Sequence, residues 1–209
     1  MKIRSVTLGS VATNCYFLIQ EATGETLVID PADRADVIGR KALDEGLRLK
    51  AVLLTHGHGD HILAVNDLKK TFGIPVYAAA DEESLLRDPD RNLSASLFGC
   101  PVTVGPDVLL QDGETFEAAG ISLRMLLTPG HTPGSCCYYS EEEKILFSGD
   151  TLFCASVGRT DFPGGSSREL LRSIREKLLV LPEDVTVYPG HGESTSIGYE
   201  KKYNPYMCM

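Results

Sequence analysis

All five histidines of this sequence, His56, His58, His61, His131 and His191, stand at the ends of apolar runs of β-strand type, in glycine-rich segments. None falls inside a helical pattern or on a plain polar stretch. A fold that satisfies this pattern brings several strand ends to one place. Three of the histidines lie in THGHGDHI, residues 55–62, where Thr55 closes an apolar strand and Gly57 and Gly59 separate the imidazoles. Side chains at i and i+2 of an extended chain project from one face, so His56 and His58 can grip one ion together. Asp60 and His61 fall at the start of the next helix, which turns them away from the first pair and toward a second ion. Asp60 is also expected to cap that helix, whose N-terminus favours the ionised carboxylate but disfavours a nearby cation.

His131 lies in TPGHTPGS, residues 128–135, and His191 in YPGHGES, residues 188–194, both Pro- and Gly-rich loops that follow strands. Asp150 closes the apolar run ILFSGDT, residues 145–151, with two oxygens able to bridge ions on either side. Five histidines and two aspartates suit a pair of zinc ions, each keeping an open position for water; iron or manganese in one or both sites is the alternative. Singly, each residue has a duller role, as a solvated loop histidine or a cap or turn aspartate. Solvated loops do not explain why all of them fall at strand exits.

The remaining pattern is that of an α/β chain. Strands are predicted at Ile3 to Leu8, Cys15 to Ile19, Leu27 to Ile29 and Ala51 to Leu54, with a helix from about Arg34 to Gly46. A second helix starts near Asp60 and carries Leu63, Val65, Leu68 and Phe72, ending at Gly73 before a strand around Val76. Strands follow at Val108 to Leu110, Thr115 to Glu117, Ile121 to Leu126, Cys136 to Tyr139 and Ile145 to Phe147, with Asp112-Gly113 read as a hairpin turn. A helix from Ser167 to about Leu179 precedes a last strand, Val185 to Tyr188. Two similar halves of this kind pack as two sheets with helices outside, and 209 residues suit a single domain over residues 1–209.

A formal net charge of −9 argues against a nucleic-acid partner. No apolar run approaches the roughly 18 residues of a membrane span, and the N-terminus lacks a signal-peptide core, so a cytoplasmic enzyme acting on small molecules is expected. Monomer and dimer both remain open. Cys15, Cys100, Cys136, Cys137, Cys154 and Cys208 show no CxxC spacing and are read as reduced, with no chemical role.

THGHGDH, TPGHTPGS, FSGDT and PGHG, in this order and spacing, resemble the motifs of the metallo-β-lactamase superfamily and cover essentially the whole chain. The resemblance implies a four-layer αβ/βα sandwich, with His56, His58 and His131 on one metal, Asp60, His61 and His191 on the other, and Asp150 bridging. The loop SVGRTDFPGGSS, residues 156–167, and the tail TSIGYEKKYNPYM, residues 195–207, resemble the short glyoxalase II-like hydrolases. Those cleave thioesters such as S-lactoylglutathione; the longer enzymes add a helical domain that grips glutathione, which this sequence does not include. Arg159 and Asp161 stand where the longer enzymes place a Lys and a Tyr that help hold glutathione, and Glu193 stands where they have a Tyr.

The chemistry implied is attack by a metal-activated water, whose pKa a metal pair lowers from 15.7 to about 7. A thiolate leaves without a strong protein acid, and Asp60 is the expected proton shuttle. Asp30, ending the strand TLVID, is a candidate to orient a ligand histidine, with a plain turn role as its alternative. Arg159 is the candidate for a substrate carboxylate, with Asp161 as the competing partner. The main alternative function is a mono-iron persulfide dioxygenase on the same fold, which shares GRTDF and would use His58 or His56, His131 and Asp150. Against it, Pro163-Gly164 follow the motif here and the second ligand set is complete. A purely structural metal domain would close each site with four ligands, unlike these open sets.

Overall fold

The structure, a computed structural model, describes residues 1–207, so Cys208 lies outside the described residues. An antiparallel meander, β1 (Lys2–Leu8), β2 (Thr13–Gln20) and β3 (Glu25–Ile29), opens the first sheet. Helix α1 (Ala35–Asp44) then crosses to β4 (Arg48–Leu53), parallel to β3. Gly46, at φ 65°, ends that helix in the left-handed conformation that costs glycine nothing sterically.

Beyond β4 come α2 (Gly59–Ile62), α3 (Val65–Phe72), β5 (Val76–Ala79), α4 (Glu83–Leu86), α5 (Ser94–Phe98) and β6 (Val108–Leu110). The single helix expected from Asp60 is two. Ala64 N–H leaves the helical ladder and donates to Pro31 O at 3.2 Å, which separates α2 from α3. Asp60 does not cap α2 either: extended His58 occupies that position, and the Asp60 carboxylate instead accepts from Thr13 Oγ1 at 3.1 Å.

The second sheet contains β7 (Thr115–Ala118), β8 (Ile121–Leu127), β9 (Cys136–Ser140) and β10 (Ile145–Gly149). A two-residue-a-side hairpin, β11 (Leu152–Phe153) and β12 (Ser156–Val157), follows. Then come α6 (Ser167–Ser173), prolonged by a π-helical turn through Leu178, and β13 (Thr186–Pro189), β14 (Thr195–Ser196) and α7 (Ile197–Tyr203). Asp112-Gly113 is not a hairpin turn: it carries the chain from β6 in one sheet to β7 in the other. The tight hairpin lies one strand later, at Ala119-Gly120, whose φ values of 55° and 66° suit the twist of β7 and β8.

The sheets run β1-β2-β3-β4-β5-β6 and β14-β13-β10-β9-β8-β7. Strand alternation sorts the core into three apolar layers. Leu18, Leu27, Ile29 and Leu53 meet Tyr138 and Phe147 between the sheets. Phe17, Val28 and Val52 face the other way, onto Ile38 of α1 and Leu68 of α3. Cys137, Leu146 and Val187 face Leu170 and Ile174 on the outside of the second sheet. The result is a four-layer αβ/βα sandwich whose central strands are buried on both faces, which is why their sequences read as continuous apolar runs. Among the described residues no helix is long and apolar enough to cross a membrane.

Candidate metal centre

β3, β4, β8, β10 and β13 each hand the chain to a loop that carries one part of the site: Asp30, the His56–His61 segment, His131, Asp150 and His191. Crevices outside the carboxyl ends of strands are where α/β sheets bind ligands, because that is where adjacent loops diverge. The first loop is anchored from behind. Asp30 Oδ1 accepts from Thr55 N at 2.8 Å and Oδ2 from Thr55 Oγ1 at 2.6 Å, so the turn into His56 is fixed by a buried carboxylate.

His56, His58 and His131, all buried, present nitrogens within 4.8 Å of one another. His58 Nδ1 lies 2.9 Å from His131 Nε2, which lies 3.2 Å from His56 Nε2. The other ring nitrogens set the tautomers. His131 Nδ1 donates to Arg159 O at 2.8 Å, and His56 Nδ1 sits 3.2 Å from Thr55 Oγ1, whose own proton goes to Asp30. Nε2 of His131 and Nε2 of His56 are then left as acceptors, with His58 Nδ1 beside them. Burial, reinforced by the neighbouring rings, holds His56 well below its ordinary pKa and His58 at about 3, so both are neutral as metal ligation requires.

Asp60, His61 and His191 form a second trio within the same reach. Asp60 Oδ2 is 3.4 Å from His61 Nε2 and 3.2 Å from His191 Nε2. Asp150 lies between the trios: Oδ2 is 3.6 Å from His131 Nε2 and 3.5 Å from His191 Nε2, and Oδ1 is 3.5 Å from His61 Nε2. Burial alone would lower His61, but the carboxylates of Asp60, Asp150 and Asp30 hold it at about 10. Asp60 is lowered in turn, because His61 and His191 outweigh its burial. This half of the site attracts a positive charge. His61 Nε2 and Asp150 Oδ1 are moreover buried without any hydrogen-bond partner, an arrangement that a shared cation would satisfy. The donor set therefore fits divalent metal.

Residues 8–191 match the family model described as the metallo-beta-lactamase superfamily. The chain belongs to that superfamily. It is 37% identical over 212 residues to the hydroxyacylglutathione hydrolase GloC of Haemophilus influenzae, covering 99% of this chain and 98% of that protein. Among solved structures, it is similar to the BLEG-1 B3 metallo-beta-lactamase, with TM-score 0.94 and 40% identity over 100% of both chains. It is similar also to TTHA1623 in a di-iron-bound form, with TM-score 0.86 and 35% identity over 97% of this chain and 99% of that one. The protein is thus a metal-dependent hydrolase with the αβ/βα sandwich of the metallo-β-lactamase superfamily, a family that acts on small molecules.

All seven residues expected at the site meet there in this superfamily member. Asp30 stands behind them: besides Thr55 it faces His61 Nδ1 at 3.0 Å, so its oxygens are already engaged, although it lies within ligand reach of His56 and His61. Arg159 lines the cavity of about 390 Å³ over the site, but its guanidinium forks onto Asp161 through two bonds of 2.7 Å and stacks 3.9 Å over the Phe162 ring. Cys15, Cys136 and Cys137 are buried away from the cavity lining, and the described cysteines form no disulfide.

Sequence reasoning missed the residues that hold the loops. Buried Glu82 accepts from Gly57 N and Thr132 Oγ1 on Oε1 and from Gly134 N on Oε2, each at 2.8 Å, so one carboxylate joins the two loops that carry His58 and His131. Asn14 Nδ2 donates to Pro189 O and Gly192 O at 3.1 and 2.9 Å, pinning the loop of His191 to β2. Neither residue carries a local signal: Glu82 sits in AAADEES, which reads as an exposed acidic turn.

Proposed function

We propose that this protein is a binuclear zinc hydrolase of thioesters, similar in activity to glyoxalase II, with Asp150 shared between the two metals. The observation that carries the reading is the position of Asp150 Oδ2, 3.6 Å from His131 Nε2 and 3.5 Å from His191 Nε2, which joins two ligand trios into one site. In this reading His56, His58 and His131 hold one ion and Asp60, His61 and His191 the other. The di-iron form of TTHA1623 supports double occupancy and makes iron the competing metal. The name of GloC supports an acyl thioester as substrate.

Bound divalent ions supply a water of lowered pKa and polarise the substrate carbonyl. The chain's own residues do the rest. Attack of water on the carbonyl releases one proton, and in this reading Asp60, one of two carboxylates lining the cavity, takes it. Cleavage of the C–S bond expels a thiolate whose conjugate acid has a pKa of about 8.5, so no protein acid is needed. His131 is held in its ligating tautomer by Arg159 O, and Asp30 does the same for His61.

The test is a panel of thioesters, lactones, β-lactams and persulfides, run on protein of measured metal content. Two zinc per chain with thioester hydrolysis, and loss of both metal and turnover in His58→Ala, is the expected result. One iron per chain with oxygen uptake on glutathione persulfide would replace this reading with the dioxygenase.

A further inference from the structure

One wall of the cavity is a preformed apolar surface tied to the ligand loop. Leu93 adopts the left-handed conformation at φ 64°, rare for a branched residue and sustained only by surrounding structure. That structure is explicit. Asn92 Oδ1 accepts from Ser94 N at 2.9 Å, Asn92 Nδ2 donates to Val102 O at 2.8 Å, and Ser94 Oγ accepts from Val102 N at 2.9 Å. Asn92 O also accepts from Gly59 N at 2.7 Å, which joins this segment directly to the His58–His61 turn. Phe98 packs so closely over Gly59 that a Cβ there would lie 2.8 Å from its ring.

Two large apolar side chains stand in solvent at the lips of the same cavity. Leu97 on α5 is 58% exposed and Val11, in the β1–β2 loop, is 49% exposed. Scattered exposed apolar residues need no explanation, but these two come from separate loops and line one opening. Charge gives the complementary observation. Arg159 is the one lysine or arginine in the cavity lining, and its fork is filled by Asp161. Among the described residues no lysine lines the cavity and the Nε–Nη2 edge of its one guanidinium is taken by Asp161, and a net charge of −9 disfavours anions at longer range.

We propose that this site takes a thioester that is uncharged and apolar in its acyl chain, seated against Leu93, Leu97 and Phe98, in preference to one carried on an anionic peptide thiol. The inference rests on the thioesterase reading and adds the class of substrate. Each methylene moved from water to an apolar wall favours binding by roughly two- to fourfold, depending on how completely it is covered.

The experiment compares straight-chain acyl thioesters of N-acetylcysteamine, from acetyl to hexanoyl, with the same acyl groups on glutathione. Zinc-loaded protein is used for hydrolysis. Metal-free protein is titrated calorimetrically with ketone analogues in which a methylene replaces the thioester sulfur. The expected result is a kcat/KM and an affinity that each rise at least about tenfold from acetyl to hexanoyl, with the neutral carrier preferred over glutathione. In Leu97→Ser the hexanoyl-to-acetyl ratio falls at least about threefold, whereas Leu97→Met keeps it. Asp161→Asn, by freeing Arg159, shifts the carrier preference toward glutathione. A flat chain-length series, or wild-type preference for the glutathione carrier, overturns the proposal. Loss of hydrolysis on every thioester while the ketone series keeps its slope would sink the thioesterase reading instead, since binding to the metal-free protein reports on the wall alone.

Discussion

Oδ2 of Asp30 lies 3.0 Å from Nδ1 of His61 and accepts from Thr55 Oγ1 at 2.6 Å. One oxygen atom thereby sets the orientation of a ring in the second trio and, through the Thr55 hydroxyl 3.2 Å from His56 Nδ1, of a ring in the first. Asp30 achieves this from a left-handed backbone position, φ 49°, which turns its side chain under the loop that follows β4.

Asp30→Asn tests this role without disturbing the backbone, because asparagine also tolerates the left-handed region. The neutral amide removes the anion from all three donors, Thr55 N, Thr55 Oγ1 and His61 Nδ1, and its NH2 group leaves at least one of them without an acceptor. Loss of such an outer partner weakens metal affinity by about 10- to 100-fold. Zinc competition against a chromophoric chelator reads the effect directly. Affinity equal to wild type at both sites would show that His61 needs no support from Asp30.

Gly190 limits how the loop of His191 approaches the site. A Cβ there would lie 2.2 Å from Asp150 Oδ1 and 2.8 Å from His61 Cε1, so Gly190→Ala must displace the carboxylate between the trios. The expected outcome is a folded protein that has lost at least about tenfold in zinc affinity, comparable to losing a ligand's support. Gly192→Ala is the contrasting variant. Its φ of 76° makes alanine strained by about 1 to 2 kcal/mol, but nothing lies within 4 Å of the added carbon, so metal content persists. Equal zinc affinity in the two alanine variants would remove the close-approach explanation.

The longer strands and the convergence of the seven residues were legible because apolar runs announce the strands and His or Asp among glycines marks the site. The two-residue strands β11, β12 and β14 were not, and Val185 to Tyr188 was wrongly read as the last strand. What supports the seven residues was not legible either. Glu82 meets Thr132 across 50 residues, and Asn14 meets Pro189 across 175, so no window of sequence contains both partners. Helix α5 has only five residues and no periodic stripe, which left the apolar wall invisible. The Asp60 cap was misread for a related reason: a carboxylate at a helix start suits a cap, but Thr13 on β2 and the rings of His61 and His191 compete for it and win. Asp112-Gly113 does form a turn, yet nothing local tells whether the next strand pairs with the last one or joins the other sheet.

Glu82 gives the stability a pH dependence of defined sign. Burial raises its carboxyl from 4.5 to about 7, against the hydrogen bonds from Thr132, Gly57 and Gly134 that favour the anion. Between those values the folded protein keeps a proton that the unfolded chain releases, so stability falls as pH rises through this window and levels off above it. The difference amounts to on the order of 3 kcal/mol. In Glu82→Gln this contribution disappears. Urea unfolding of the two metal-free proteins from about pH 5 to about pH 8 should show the wild type losing ground to the variant as pH rises. Parallel curves would mean that Glu82 titrates alike in both states.

Glu200 links the C-terminal helix to the cavity. It is fully buried, and both of its oxygens accept from Ala155 N at 3.1 Å, while Oε1 takes Thr195 Oγ1 and Oε2 takes Asn204 Nδ2, each at 2.6 Å. Asn204 Nδ2 also donates to Ser156 O at 3.1 Å. These bonds hold the turn of the β11–β12 hairpin, where Ala155 sits at φ 52°, and that hairpin presents Phe153 and Val157 to the cavity. Glu200→Gln turns one acceptor oxygen into a donor where Ala155 N and Asn204 Nδ2 only donate and the Thr195 hydroxyl alone can turn to accept, which costs about 1 kcal/mol. The hydrogen bonds of Glu200 run to Ala155, Thr195 and Asn204 rather than to His or Asp of the two trios, so zinc stoichiometry should stay at the wild-type value. The loosened hairpin should instead raise KM for an apolar thioester severalfold with a smaller change in kcat, because an interaction made equally in ground and transition states is what a binding wall supplies. A fall in kcat with KM unchanged, or a loss of zinc, would place Glu200 in the support of the metal centre rather than of the substrate wall.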